Sequence, residues 1–207
     1  MHILLTVRIM ERLTESILRK TNELPEGAPV SAKMLLHLGS RQAVDQSLSR
    51  LARSGKLLRA GRGMYVSPVK SRFGTHAPSA QRLVEELSSQ RGEIVAPSGA
   101  TSANALGLTT QVPTQTVYWT SGRRRKLSLG KLVIQLEHVP SWQLAFANEP
   151  AGEIVRALAW AGPERVQSVL AEIGDKVPKS ELQKVAQQVS RFPGWVASAL
   201  SQSVDNA

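Results

Sequence analysis

The sequence predicts an α+β protein in two parts, and three observations predict it. The first is an uneven charge. The 207 residues carry 26 Lys and Arg against 16 Asp and Glu, a net +10. Residues 1–76 hold thirteen of the bases and five of the acids, +8, whereas residues 77–207 hold thirteen bases and eleven acids, +2. The second is a run of short helix-periodic segments that gives way to a β-type hairpin before residue 76. The third is helical apolar spacing that resumes after Pro150 and lasts almost to the end. A basic domain over 1–76 and a nearly neutral α+β domain over 77–207 follow, the latter a small mixed sheet with C-terminal helices.

From Arg8 to Thr21 the apolar residues Ile9, Met10, Leu13, Ile17 and Leu18 fall mostly three and four apart, which predicts an amphipathic helix. Asn22-Glu23-Leu24-Pro25-Glu26-Gly27 breaks it. Ser31 is placed to cap a second, short helix carrying Met34, Leu35 and Leu36, and Leu38-Gly39 makes a tight turn. Ser40 caps a third helix whose apolar stripe is Val44, Leu48, Leu51 and Ala52. Ser54-Gly55 closes it with a residue suited to the left-handed cap. Leu57–Ala60 and Met64–Val66, joined across Gly61-Arg62-Gly63, then read as a β-hairpin.

Two helices joined by a glycine-containing turn and followed by a basic hairpin make the pattern of a winged helix-turn-helix. The face of the third helix opposite its apolar stripe carries Gln42, Gln46, Ser49, Arg50 and Arg53, with Arg41 at its start. Gln matches the N6/N7 edge of adenine and Arg the O6/N7 edge of guanine, while a small Ser lets a helix sit deep in the major groove. Backbone N–H groups near Ser40, with Lys56, Arg59 and Arg62 on the wing, suit phosphates. A charged helix face is ordinarily only solvated. This one lacks the interspersed acids of such a face, Asp45 being its single carboxylate, and the wing repeats the positive sign. Double-stranded DNA is the expected partner.

In the second part, Pro78-Ser79 opens a helix through Arg91 with Leu83, Val84 and Leu87 inward, closed by Gly92. Glu85 and Glu86 are adjacent and so point about 100° apart, which does not make an acid/base pair. Residues 94–113 read as a short strand, a Ser/Gly turn, a small-residue helix and a loop. Thr116–Thr120, Leu127–Leu129 and Lys131–His138 are further strands, the last with Leu132, Ile134 and Leu136 on one face. Arg123, Arg124 and Arg125, with Lys126, lie on the connecting hairpin as a solvated turn or a phosphate contact without sequence preference. From Pro150, Ile154, Val155, Leu158 and Ala159 form a helical stripe beside Trp160, and Gly162-Pro163 interrupts it. Val166, Val169, Leu170 and Ile173 form the next stripe. Pro178 then starts a helix with Leu182, Val185, Ala186 and Val189, and Pro193 a last one with Trp195, Val196 and Leu200.

The usual catalytic constellations are missing. Asp occurs only at Asp45, Asp175 and Asp205, with no Asp-x-Asp pair for two-metal chemistry. His2, His37, His76 and His138 show no zinc spacing, and Glu137 and His138 alternate to opposite faces of a strand. There is no Walker motif, no G-x-S-x-G and no cysteine. No catalytic residue, metal or cofactor is expected. The apolar run Ile3–Val7 is too short for a signal peptide or a membrane span. A cytoplasmic protein without a membrane partner is the expectation.

At Ser40-Arg41-Gln42-Ala43-Val44-Asp45-Gln46-Ser47-Leu48-Ser49-Arg50-Leu51-Ala52-Arg53-Ser54-Gly55-Lys56-Leu57, then Arg59 and Gly61-Arg62-Gly63-Met64-Tyr65, the chain resembles the AbiEi-like antitoxins of type IV toxin–antitoxin systems. Pro97-Ser98-Gly99-Ala100-Thr101 through Asn104-Ala105-Leu106-Gly107-Leu108 to Gln111-Val112-Pro113 is similar to the second domain of that group. The resemblance implies a repressor that binds its own promoter through the N-terminal domain. It also implies a C-terminal domain that opposes a nucleotidyltransferase toxin encoded beside it. Two other readings stay open: a nucleic-acid-processing enzyme with an unrecognised active site, and a non-specific architectural DNA binder.

Overall fold

The computed structural model describes residues 2–72 and 74–205, with side chains described from Arg12 to Ser203. It is a mixed α+β structure that divides into two compact units. One is Met1–Gly92 with Lys126–Ile134, and the other is Glu93–Arg125 with Gln135–Ala207. The sequence boundary at residues 76 and 77 thus lies inside the first unit.

The first unit opens with α1 (His2–Asn22), longer at its start than the Arg8–Thr21 periodicity suggests. Leu13 and Ile17 are buried on its inner face, while the side chains of Ile9 and Met10 lie outside the described residues. β1 (Val30–Ser31) and a single 3-10 turn, Ala32–Leu35, come next. The expected short helix from Ser31 is therefore one turn, and the Ser31 side chain makes no cap hydrogen bond. Only Leu35 of the expected apolar trio reaches the core; Met34 and Leu36 are 43% and 45% exposed. One turn presents one inward position, so three consecutive apolar residues cannot share it.

α2 (Arg41–Arg53) follows, and its start is fixed by Ser40, whose Oγ accepts from the Ala43 N–H at 3.3 Å. Val44, Leu48 and Leu51 are buried against Leu13, Ile17, Leu35 and Leu57. Each such side chain contributes about 1.5–3 kcal/mol of transfer free energy. Ser47 lies within this buried face, and its Oγ has no partner among the described residues. A buried hydroxyl left unpaired costs about 1–3 kcal/mol, and Ala is also the better helix former. Ser47→Ala is therefore expected to stabilise the first unit by about 1 kcal/mol. Denaturant unfolding followed by far-ultraviolet circular dichroism checks this, and a loss of stability would show that the hydroxyl has a partner in solution.

β2 (Leu58–Gly61) and β3 (Met64–Val66) form the expected hairpin, Leu58 opposite Val66, with a register shift between Arg59 and Gly61. β1 pairs antiparallel with β3, Val30 opposite Tyr65, giving the order β1-β3-β2. A second small hairpin, β4 (Val69–Ser71) with β5 (Gly74–His76), was not anticipated. α3 (Ala80–Arg91) runs as expected from its Ser79 cap, with Leu83, Val84 and Leu87 buried, to Gly92.

In the second unit β6 (Val95–Pro97) leads through Ser98 to α4 (Gly99–Ala105) and then to β7 (Thr116–Thr120), which pairs antiparallel with β6. β8 (Arg125–Leu129) and β9 (Leu132–His138), of which residues 126–134 belong to the first unit, complete a four-stranded sheet in the order β6-β7-β9-β8. Ile134 and Leu136 are buried, but Leu132, expected on the same face, is 40% exposed. It directly follows the turn, where the strand has only begun.

α5 (Pro150–Gly174) is interrupted at Gly162, where the backbone leaves helical geometry just before Pro163. α6 (Lys179–Ala186) and α7 (Gly194–Asp205) pack with it around one apolar core that includes Ile154, Leu158, Val185 and Leu200. Trp142 sits edge-on to Phe192 and Trp195, with ring centroids 6.4 and 6.0 Å away. Val189 lies in a 3-10 turn beyond α6 and not in the helix. Arg156 is the unexpected member of this core, 2% exposed, its Nε donating to Ser102 Oγ at 3.0 Å. Burial pushes its guanidinium down to about 10, so it is charged near neutrality.

Candidate nucleic-acid interface

Helical spacing puts Gln42, Gln46, Ser49 and Arg53 in one stripe of α2, with Arg50 beside it. Gln42, Gln46, Arg50 and Arg53 are exposed and Ser49 is half-buried. None of the four exposed side chains makes a hydrogen bond or ion pair with a described residue. Arg41 differs, because its Nε donates to Asp45 Oδ2 at 2.8 Å. The single carboxylate of this face is thus spent on the helix start and leaves Arg50 and Arg53 unneutralised. Both sit in the last turns, where a cation also interacts favourably with the helix dipole.

Lys56 is exposed beyond the helix, and Arg62 is exposed in the β2–β3 turn, again without an acid partner among the described residues. Arg59 is exposed on β2, its Nε donating to Gly61 O at 3.4 Å. A groove of about 520 Å³ borders the start of α2, lined by Arg12, Leu13, Ser16, Leu38, Gly39, Ser40 and Ala43. It offers one guanidinium and two hydroxyls beside the free N–H groups of a 13-residue helix, a donor set suited to an anion.

The second unit treats its arginine run differently. Arg123 is exposed, and Arg124 is exposed with Nη2 3.7 Å from Glu137 Oε1. Arg125 is not an open phosphate ligand. Its side chain is 16% exposed and forked onto Glu93, itself 15% exposed, while Nη1 also donates to Arg123 O at 3.0 Å. Only Arg125 and Lys126 of the run lie in β8, and neighbours on a strand alternate sides, so these two cannot face the same way. Arg125→Ala leaves the Glu93 carboxylate largely buried beside an empty site. It is expected to destabilise the second unit by about 3 kcal/mol. Tryptophan fluorescence during denaturation reads this, because all four tryptophans, Trp119, Trp142, Trp160 and Trp195, lie in that unit. Parent-like stability would mean that the pair is open to solvent.

A second groove, about 490 Å³, is lined by Ala100, Thr109, Gln111, Val112, Pro113, Thr114 and Trp160, none of them an acid or a base. The loop forming it is tied back by Asn104, whose Nδ2 donates to Thr109 O at 3.0 Å and Gln111 O at 3.2 Å. That gives Asn104 a structural role at the start of this loop. Among the described residues no three His, Cys, Asp or Glu side chains gather as a metal site, and no helix is long and apolar enough to cross a membrane.

Charge follows the units more sharply than it follows the chain. The first unit holds seventeen Lys and Arg against seven acids, +10, and the second holds nine of each. Comparison with known proteins adds one assignment. A family described as of unknown function, DUF6088, matches residues 16–187. The chain belongs to DUF6088. No curated protein and no solved structure matches it. The DUF6088 match takes in α2, the β2–β3 hairpin, the Asn104 loop and α6, and stops short of α7.

Proposed function

We propose that this DUF6088 protein is a winged helix-turn-helix DNA-binding regulator that represses its own promoter and serves as the antitoxin to a nucleotidyltransferase toxin. One observation carries the DNA-binding half. α2 buries Val44, Leu48 and Leu51 on one side and leaves Gln42, Gln46, Arg50 and Arg53 unpartnered on the other. The element order supports the same reading: a helix, a short strand, a helical turn, a second full helix and a hairpin whose strand β3 pairs with β1. In this reading α2 enters the major groove, the β2–β3 turn is the wing, and the groove at Ser40 and Arg12 receives a phosphate. The antitoxin half rests on the AbiEi-like resemblance, and the neutral second unit is the part that would meet the toxin's action. Both halves act without catalysis.

Binding of the full chain to the duplex upstream of its own gene, against a scrambled duplex of equal length, tests the first half. The expected preference is about a thousandfold or more at physiological salt. Equal affinity would make it an architectural binder, and no binding to either duplex would overturn the reading. Co-expression with a neighbouring nucleotidyltransferase gene tests the second half. Growth arrest that this chain does not relieve would remove the antitoxin assignment.

A further inference from the structure

We infer that the β8–β9 hairpin, residues 126–134, is a second duplex-DNA contact of the first unit, with Lys126 and Lys131 as its phosphate ligands. The inference rests on the DNA-binding reading of α2 and the wing and adds a site to it. The hairpin follows the second unit's strands in sequence, yet it packs as part of the first unit. It holds two lysines and no acid, and so supplies the last two charges of that unit's +10.

Its construction separates anchor from contact. Leu127 and Leu129 are buried, whereas the alternate residues Lys126 and Ser128 are exposed. A Cβ at Gly61 would stand 3.9 Å from Leu127 Cδ2, so the anchor lies against the wing strand. Arg62 follows Gly61 and Lys126 precedes Leu127, each one residue or about 3.8 Å of chain away. The bases of wing and hairpin thus flank one contact, and both offer positive charge to a polyanion. Lys131 is held at the tip by a two-residue turn in which Gly130 takes φ +61°, the position that favours glycine in a hairpin connection. Neither lysine has a carboxylate partner among the described residues. A phosphate meeting them displaces only water and counterions.

The test compares the full-length parent with Lys126→Gln/Lys131→Gln on the upstream and scrambled duplexes over a range of salt. Two lost phosphate contacts should flatten the slope of log affinity against log salt by about two. Raising salt from roughly 50 to 200 mM should then weaken the variant about tenfold less than the parent. The preference for the upstream duplex and the melting temperature should stay those of the parent. Lys126→Arg/Lys131→Arg should restore the slope. An unchanged slope, or a flattened one that Arg does not restore, overturns the hairpin contact and leaves α2 and the wing as the interface. A parent that binds neither duplex overturns the DNA reading itself, and the hairpin contact with it.

Discussion

Gly152→Ala should destabilise the second unit by about 1–3 kcal/mol, although the substitution places a better helix former in a helix. The site explains the sign. A Cβ at Gly152 would overlap the carbonyl of Phe146, standing 2.7 Å from its carbon, and would lie 2.7 Å from Arg156 Nη1. The first obstacle is backbone and cannot rotate away. The second is a buried guanidinium whose Nε bond to Ser102 depends on its present place. Removing a glycine from a helix interior gains at most about 1 kcal/mol. That gain loses to the displacement of a turn and a buried charge together. Gly174→Ala at the far end of α5 has no atom within 4 Å of its added Cβ, and there the helical gain should prevail. The two variants share a helix and a chemistry, so opposite signs isolate close packing as the cause. Denaturation followed by tryptophan fluorescence reads both, since every tryptophan reports this unit. Equal stability of Gly152→Ala and parent would mean that Phe146 can move freely.

The same helix shows why part of the fold was legible in the sequence and part was not. Periodicity exposes any element with one wet and one dry side, so the stripe of Val44, Leu48 and Leu51 located α2, and Ser40 located its start. α5 was equally readable on both sides of Gly162-Pro163. Arg156 was not, because periodicity marks the buried position but offers no reason to find a charge there. Its reason is tertiary, a hydroxyl from α4 and a tightly turned chain at Phe146. Arg125 failed in the opposite sense. Four consecutive bases look like one patch, and only the fold brings Glu93 beside one of them across a sequence separation of 32 residues. Short elements gave the weakest signal. Met34-Leu35-Leu36 has helical composition but room for one turn, and β4 with β5 has too few apolar residues to show alternation. Charge read along the chain and charge read by unit differ at the unit edges. The fold sends Lys126 and Lys131 back to the basic unit and leaves the other unit neutral.

Arg50→Ala should weaken binding to the cognate duplex by about 1–3 kcal/mol, roughly five- to 150-fold, while affinity for unrelated DNA falls far less. Arg50 differs from its neighbours in what each already does. Arg41 is held by Asp45 in an exposed pair worth no more than about 1 kcal/mol, and it stands at the helix start where backbone N–H groups also serve phosphate. Its removal should reduce affinity on all sequences alike. Lys56 and Arg62 lie off the helix and should do the same, each flattening the salt slope by about one. Arg50 is exposed, unpaired and set beside the Gln42, Gln46 and Ser49 stripe, so its planar donors have no task within the chain. The folded state should hardly notice its loss beyond a few tenths of a kcal/mol of helix-dipole interaction. Weakened discrimination in a protein of unchanged stability is thus the signature of base recognition. Parent-like discrimination in Arg50→Ala would mean that α2 lies across the backbone, and that sequence is read by another element or not read at all.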